Sequence, residues 1–238
     1  VILPRASHLS AISACALYGM EPVWVDAWAD EAGAPFTRTE DVLSAVRQNP
    51  DARAVLLTRP DYFGRMMELG QIARAAHAAG MLVLVDEAHG AHLNWLDGLK
   101  CVYRPDDGAG RECVSALNMG ADMCVQSAHK TLPALTGGAF LHMNERVDAD
   151  RLLSRVALTQ SSSPSFLIMA SLDSAREYMD EHGRTELSRV ADECERVLDE
   201  CRTLDIMPAR EYFGLDCDRS RIALDVPPRG ITGFAARD

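Results

Sequence analysis

Residues 82 to 93, LVLVDEAHGAHL, form an apolar run that halts at an acid and then shows two histidines, so Asp86, Glu87, His89 and His92 stand at the end of a buried strand. Three chemistries use such a set. In a DEAH-type ATPase the first acid would hold Mg²⁺ and the second would position water, and SAHKTL at 127 to 132 faintly imitates a downstream motif of that class. No G-x-x-x-x-G-K-[ST] phosphate loop and no arginine-rich late motif accompany it. A metal site would use His89 and His92, three apart, with Asp86 or His129. Gly90 interrupts the helix that this spacing needs, and no third ligand is dictated, so His92 reads as structural.

The third chemistry uses more residues. Lys130, in VQSAHKTL, follows directly on a strand, so its ammonium would reach the same strand ends as Asp86. A lysine that forms an imine with pyridoxal phosphate and an aspartate that pairs with its protonated pyridine nitrogen are the two protein groups that cofactor most needs. Ala88 would leave room for the ring face, and Ser127 and His129 are suitable phosphate donors beside the lysine. Taken alone, Lys130 is equally an exposed lysine at a helix start.

These residues need a scaffold that gathers strand ends. PVWVD (22 to 26), RAVLLT (53 to 58) and MLVLVD (81 to 86) are short, apolar and β-branched, the pattern of strands buried on both faces. Helical stretches separate them: Ser7 to Tyr18, Thr39 to Gln48 with Thr39 as N-cap, and Arg65 to Ala79 ending at Gly80. Repeated strand and helix predicts an α/β fold, three layers with a mostly parallel sheet between helices. ADMCVQS (121 to 127) and GAFLHM (138 to 143) are too close for a crossover helix, so this last pair is expected to be antiparallel. Residues 97 to 113 read as a surface excursion. Residues 174 to 204 read as one or two long helices with Leu187, Val190, Cys194, Val197, Leu198, Cys201 and Leu204 on one apolar stripe. RSRIALDV then reads as a strand and GITGFAARD as a first helical turn. The expected division is a large domain over 1 to 205 and the start of a second, smaller one over 206 to 238. VILP reads as the tail of a strand, and both ends read as cut, so the chain is expected to be a fragment.

Composition narrows the function classes. With 238 residues at 47% hydrophobic composition the chain can bury one sizeable core. A formal net charge of −11 argues against a sequence-independent grip on nucleic acid, which needs clustered Lys and Arg. No apolar stretch approaches the roughly 20 residues of a membrane helix, and VILPRASHLS lacks the basic start and long apolar core of a signal peptide. Seven cysteines without repeated spacing read as reduced thiols of a cytoplasmic protein. Cys194 and Cys201, two turns apart, read as buried small side chains.

VDEAHGAHL, QSAHKTLPALTGGAFLH and SSSPSFLIMASLDSAR together resemble the major domain of the pyridoxal-phosphate-dependent ornithine/lysine/arginine decarboxylases, of the aspartate-aminotransferase fold type. LPRASHLSAISACALYGMEPVWV and TRPDYFG carry the likeness through nearly the whole chain. The resemblance implies decarboxylation of a basic amino acid to a diamine or agmatine. It makes Lys130 the imine-forming lysine, Asp86 the pyridinium partner, His8 the imidazole stacked over the ring, and Ser127 and His129 phosphate contacts. It also implies a site between two subunits, near SSSPS at 161 to 165, hence at least a dimer. Ala6 stands where the family usually has Asn and Leu9 where it has Lys or a similar residue. By the same resemblance the glycine-rich phosphate loop would precede Val1. An aminotransferase or another lyase of this fold shares the lysine and aspartate, and an inactive folding or dimerisation module remains a separate reading.

Overall fold

A computed structural model describes residues 1–30, 33–96, 115–209 and 216–225. In chain order the elements are β1 (Ile2–Pro4), α1 (Leu9–Tyr18), β2 (Val23–Val25), β3 (Trp28–Ala29), β4 (Pro35–Phe36), α2 (Thr39–Gln48), β5 (Ala54–Thr58), β6 (Arg65–Met66), α3 (Leu69–Ala78) and β7 (Leu82–Asp86). There follow β8 (Met123–Gln126), α4 (Ala128–Thr131), β9 (Phe140–Met143), α5 (Ala149–Val156), α6 (Phe166–Thr203), β10 (Met207–Pro208), β11 (Asp216–Cys217) and β12 (Leu224–Asp225). The expected excursion at 97 to 113 and the expected turn at GITGFAARD lie outside the described residues.

Six strands make the central sheet in the order β2-β1-β5-β7-β8-β9. All pairs are parallel except β8 with β9, which is antiparallel as the short connection requires. The longer strands alternate strictly. Val55, Leu57, Val83 and Val85 are fully buried, whereas Leu56, Thr58, Leu84 and Asp86 are half-buried. The first set packs against Val42, Ala45 and Val46 of α2 and Leu69, Ile72, Ala73 and Ala76 of α3. Truncating any of the larger ones to alanine would cost about 2 to 5 kcal/mol. On the opposite face Cys15 of α1 shares a cavity of about 720 Å³ with Leu56 and Leu84. The arrangement is three-layer α/β/α, but this second face is more open than continuous apolar runs imply.

Local starts differ from expectation where tertiary contacts override pattern. Arg65 and Met66 pair with β11 as a strand, and the helix begins only at Leu69. The reason is that Arg65 is held by Asp61, Asp30 and the Pro35 carbonyl, partners no helix could offer. Thr39 is the first helical residue and Arg38 the N-cap. The Thr39 hydroxyl instead accepts the Glu68 backbone N–H at 3.3 Å, joining α2 to the entry of α3. α6 is one helix of 38 residues, starting earlier than its apolar stripe because Ser165 caps it. Within the stripe Cys194 and Leu198 are buried, while Leu204 lies past the helix end, exposed.

Candidate active site

Because β5, β7 and β8 are adjacent and parallel, Thr58, Asp86 and Ser127 arrive at one edge of the sheet, with Thr58 opposite Asp86 in register. Ligands of open α/β sheets collect at this carboxyl edge. Asp86 ends β7 half-buried; its Oδ1 accepts the Ala88 N–H at 3.1 Å, and no side chain among the described residues donates to it. A carboxylate so little occupied is available to a charged donor on a ligand. Ala88, half-buried beside it, presents only a methyl group.

Lys130 is exposed on α4, the single turn that follows β8, and its Nζ lies 3.5 Å from His89 Nε2. On the other side of that ring, Arg221 Nη2 donates to His89 Nδ1 at 3.3 Å. A guanidinium and an ammonium can only donate, so the neutral ring accepts from one of the two and carries its own proton on the other nitrogen. Burial, followed by the charges of Lys130 and Arg221, holds His89 below its ordinary pKa against the opposing pull of Asp86 and Asp61, so the ring is neutral at pH 7. Tyr62 packs edge-on to His89 with centroids 5.8 Å apart, and its carbonyl anchors Arg221 Nη1 at 2.9 Å.

The other expected residues sit around this centre. His8 lies just past β1 as the N-cap of α1, exposed, its Nδ1 accepting the Ser10 N–H at 3.2 Å; it makes no hydrogen bond to Asp86 or Lys130. Ser127 is half-buried at the N-cap of α4, and its carbonyl accepts the Lys130 N–H at 3.0 Å. His129 uses Nδ1 toward the Gly138 carbonyl at 2.9 Å, which leaves Nε2 as the nitrogen that can meet a ligand.

The two competing chemistries lose their residues. Glu87 is fully buried, accepting from the Ala116 N–H and Gln126 Nε2 at 2.7 Å each, so it cannot position water on a bound nucleotide. Burial pushes its carboxyl up despite those two donors. His92 is buried too, with Nε2 2.9 Å from Asp218 Oδ2 and 3.0 Å from Ser220 Oγ, whereas His89 faces Lys130. The histidines therefore diverge, and no group of three His, Cys, Asp or Glu among the described residues is placed to hold a metal. Gly90 lets these turns close: a Cβ there would stand 2.6 Å from Glu87 Cγ and 2.8 Å from Pro60 Cδ. The sequence pattern missed Tyr62 and Arg221. Tyr62 lies in the quoted stretch TRPDYFG, but nothing in RSRIALDV singles out an arginine that returns from a distant segment.

Comparison with known proteins agrees with this geometry. Residues 1–213 match the family described as Orn/Lys/Arg decarboxylase, major domain. The chain is 43% identical over 183 residues to the uncharacterized protein YaaO of Bacillus subtilis, covering 75% of this chain and 35% of that protein. It is 31% identical over 245 residues to an arginine decarboxylase of Bacillus cereus, covering 99% of this chain and 50% of that enzyme. The chain thus spans between about a third and a half of the length of these curated relatives. Among solved structures, the constitutive lysine decarboxylase of E. coli superposes with a TM-score of 0.63 at 17% identity, over 85% of this chain and 29% of that one. The Sphingomonas wittichii serine palmitoyltransferase does so with 0.63 at 20%, over 94% and 50%. These structural likenesses establish the fold, and no helix among the described residues is long and apolar enough to cross a membrane. With a family match that runs over residues 1–213, the chain belongs to the Orn/Lys/Arg decarboxylase family.

Proposed function

We propose that this chain carries the cofactor site of a decarboxylase that acts on a basic amino acid, arginine, lysine or ornithine. The observation that carries the reading is the shared edge: an under-occupied carboxylate at the end of β7 and an exposed primary amine just after β8, with a neutral imidazole on the amine. This donor set fits pyridoxal phosphate, which asks for one carboxylate, one amine and a small neighbour such as Ala88. Lys130 would hold it, Asp86 would face its pyridine nitrogen, His8 would cover the ring, and Ser127 and His129 would take the phosphate. Once bound there, the cofactor supplies a sink for the electron pair released as CO₂ leaves.

The chain's own groups do the remaining work. Asp86 would set its carboxylate against the ring nitrogen, a fixed electrostatic contribution. Lys130 Nζ would be the group that carries a proton to the substrate Cα. His89, held between Arg221 and Lys130, would fix where the Lys130 amine sits. The product would be agmatine or a diamine, and arginine is the first substrate to try because several relatives bear that name.

Two further expectations belong to this reading. The whole enzyme is at least a dimer, a reading supported by Phe166 and Leu167, exposed at the start of α6 beside SSSPS. The boundary at 205/206 is supported by the end of α6 at Thr203 and the new pairing of β10 with β12. The deciding experiment is borohydride reduction in the presence of pyridoxal phosphate followed by peptide mapping. A pyridoxyl group on Lys130 is expected; labelling elsewhere that survives Lys130→Ala would sink the proposal. CO₂ release from each of the three amino acids then selects the substrate.

A further inference from the structure

Where β1 and β5 end, the same edge holds a second cavity of about 100 Å³ whose walls include Ser7, Thr37, Thr58, Asp61 and Tyr62. Thr37 is only 6% exposed, and the hydroxyls of Thr37 and Ser7 are both buried without a hydrogen-bond partner. Buried hydroxyls are rarely left so, and a pair lining one cavity points to a ligand that completes them. Hydroxyls alone accept a cation or donate to an anion. The surrounding charge decides between the two. Arg65, almost wholly buried, lies between Asp30 and Asp61, which gives two carboxylates to one guanidinium. Its nitrogens are engaged by those acids and the Pro35 carbonyl, while Asp61, whose Oδ1 accepts the Phe63 and Arg65 N–H groups, keeps 24% of its side chain exposed and lines the cavity. The local excess is negative, and the ring of Tyr62 adds a surface that favours cations.

Location and size restrict the ligand further. Thr58 stands opposite Asp86 in register, and Tyr62 touches His89, which touches Lys130, so the contacts from the cavity wall to the reactive amine run through Tyr62 and His89. At about 100 Å³, against roughly 10 to 15 Å³ for one water on the same measure, it takes a charged head and the methylenes next to it. We propose that this cavity receives the distal cation of the substrate, a terminal alkylammonium or guanidinium, with Thr37 and Ser7 as acceptors and Asp61 as counter-charge. The proposal rests on the decarboxylase reading and assigns that site its determinant of side-chain chemistry.

The test needs no cofactor. The full chain, with ¹³C-methyl threonine, is titrated with agmatine, 1,4-diaminobutane, butanoate and 1-butanol, and affinities are measured by calorimetry. The two amines are expected to shift the Thr37 methyl saturably, and butanoate and butanol to leave it in place. Thr37→Val, which keeps the shape, and Ser7→Ala should each weaken amine binding by about tenfold, the effect of losing one hydrogen bond to a charged group. Butanoate acting at Thr37 as strongly as the amines, or amine affinity within twofold of wild type in both variants, overturns the proposal. Should Thr37→Val fail to fold, Ser7→Ala reads the same contact. Amines bound at Thr37 in a chain whose Lys130 captures no cofactor would leave the cavity assigned and the decarboxylase reading lost. Decarboxylation with KM untouched by both variants would do the reverse.

Discussion

The two ends of the central sheet each place an aspartate on a strand terminus, and they treat it in opposite ways. At the amino end of β8, Asp122 is fully buried and saturated: it accepts from the Val83 N–H at 2.7 Å, His77 Nε2 at 2.9 Å, Asn144 Nδ2 at 3.2 Å and Arg146 Nε at 3.1 Å. At the carboxyl end of β7, Asp86 receives one backbone N–H and faces an open edge. Both are acids on the same scaffold. What separates structure from chemistry is how many of their lone pairs the protein itself has already filled.

The largest expected effect falls on the open end. Asp86→Ala should lower turnover of the cofactor-loaded enzyme about a thousandfold or more, roughly 4 kcal/mol, with little change in the unfolding midpoint. Glu87→Ala should instead lower stability and leave the turnover of the folded fraction near wild type. Steady-state kinetics beside thermal unfolding separate the two, and similar kinetic losses in both would erase the contrast drawn here. Next comes the closed end, where Asp122→Ala orphans several donors at once and should cost about 3 kcal/mol in urea unfolding. A cost below 1 kcal/mol would mean that this knot is ornamental. Gly90→Ala should follow at about 2 kcal/mol, since the added methyl meets Glu87 and Pro60 and forces the β5 and β7 ends apart.

The smallest effect is in pH dependence. Burial raises the Asp122 pKa, but the Val83 N–H, His77 and Asn144 outweigh it and hold the carboxyl below its ordinary value of 3.8. A depressed acid contributes stability that is whole above that ordinary value and is lost as pH falls through the folded one. Glu87, raised by burial, has the opposite sign: its contribution declines as pH rises above 4.5. The stability gap between wild type and Asp122→Asn should therefore narrow on acidification below about pH 4. A gap that is flat there, measured by urea midpoints, would show that Asp122 is not held charged by its neighbours.

Much of this edge was legible in the residues. Apolar runs ending in Asp86 and preceding Lys130 announce parallel strands, and parallel strands must release their last residues on one side. The antiparallel β9 follows from a connection too short to cross over. Illegible were contacts made by one segment with another far away. Thr39 has the chemistry of a cap, yet its hydroxyl joins Glu68. Arg65 sits in a helical pattern, yet two aspartates hold it as a strand. His92 reads as structural from the sequence, but nothing there names Asp218 as the group that meets it. Periodicity reports which side of an element is apolar and carries no information about which distant polar group will meet it.

Arg221 orders events in time as well as in space. It reaches His89 from the segment whose β11 pairs with β6 and whose Asp218 meets His92. Lys130 is made about 90 residues earlier, which at ordinary rates of synthesis is on the order of ten seconds. During that interval the amine lies beside an imidazole that lacks its second neighbour. A growing polypeptide therefore carries its reactive nitrogen before it carries the group that aims it, and the site matures from its last-made piece backward.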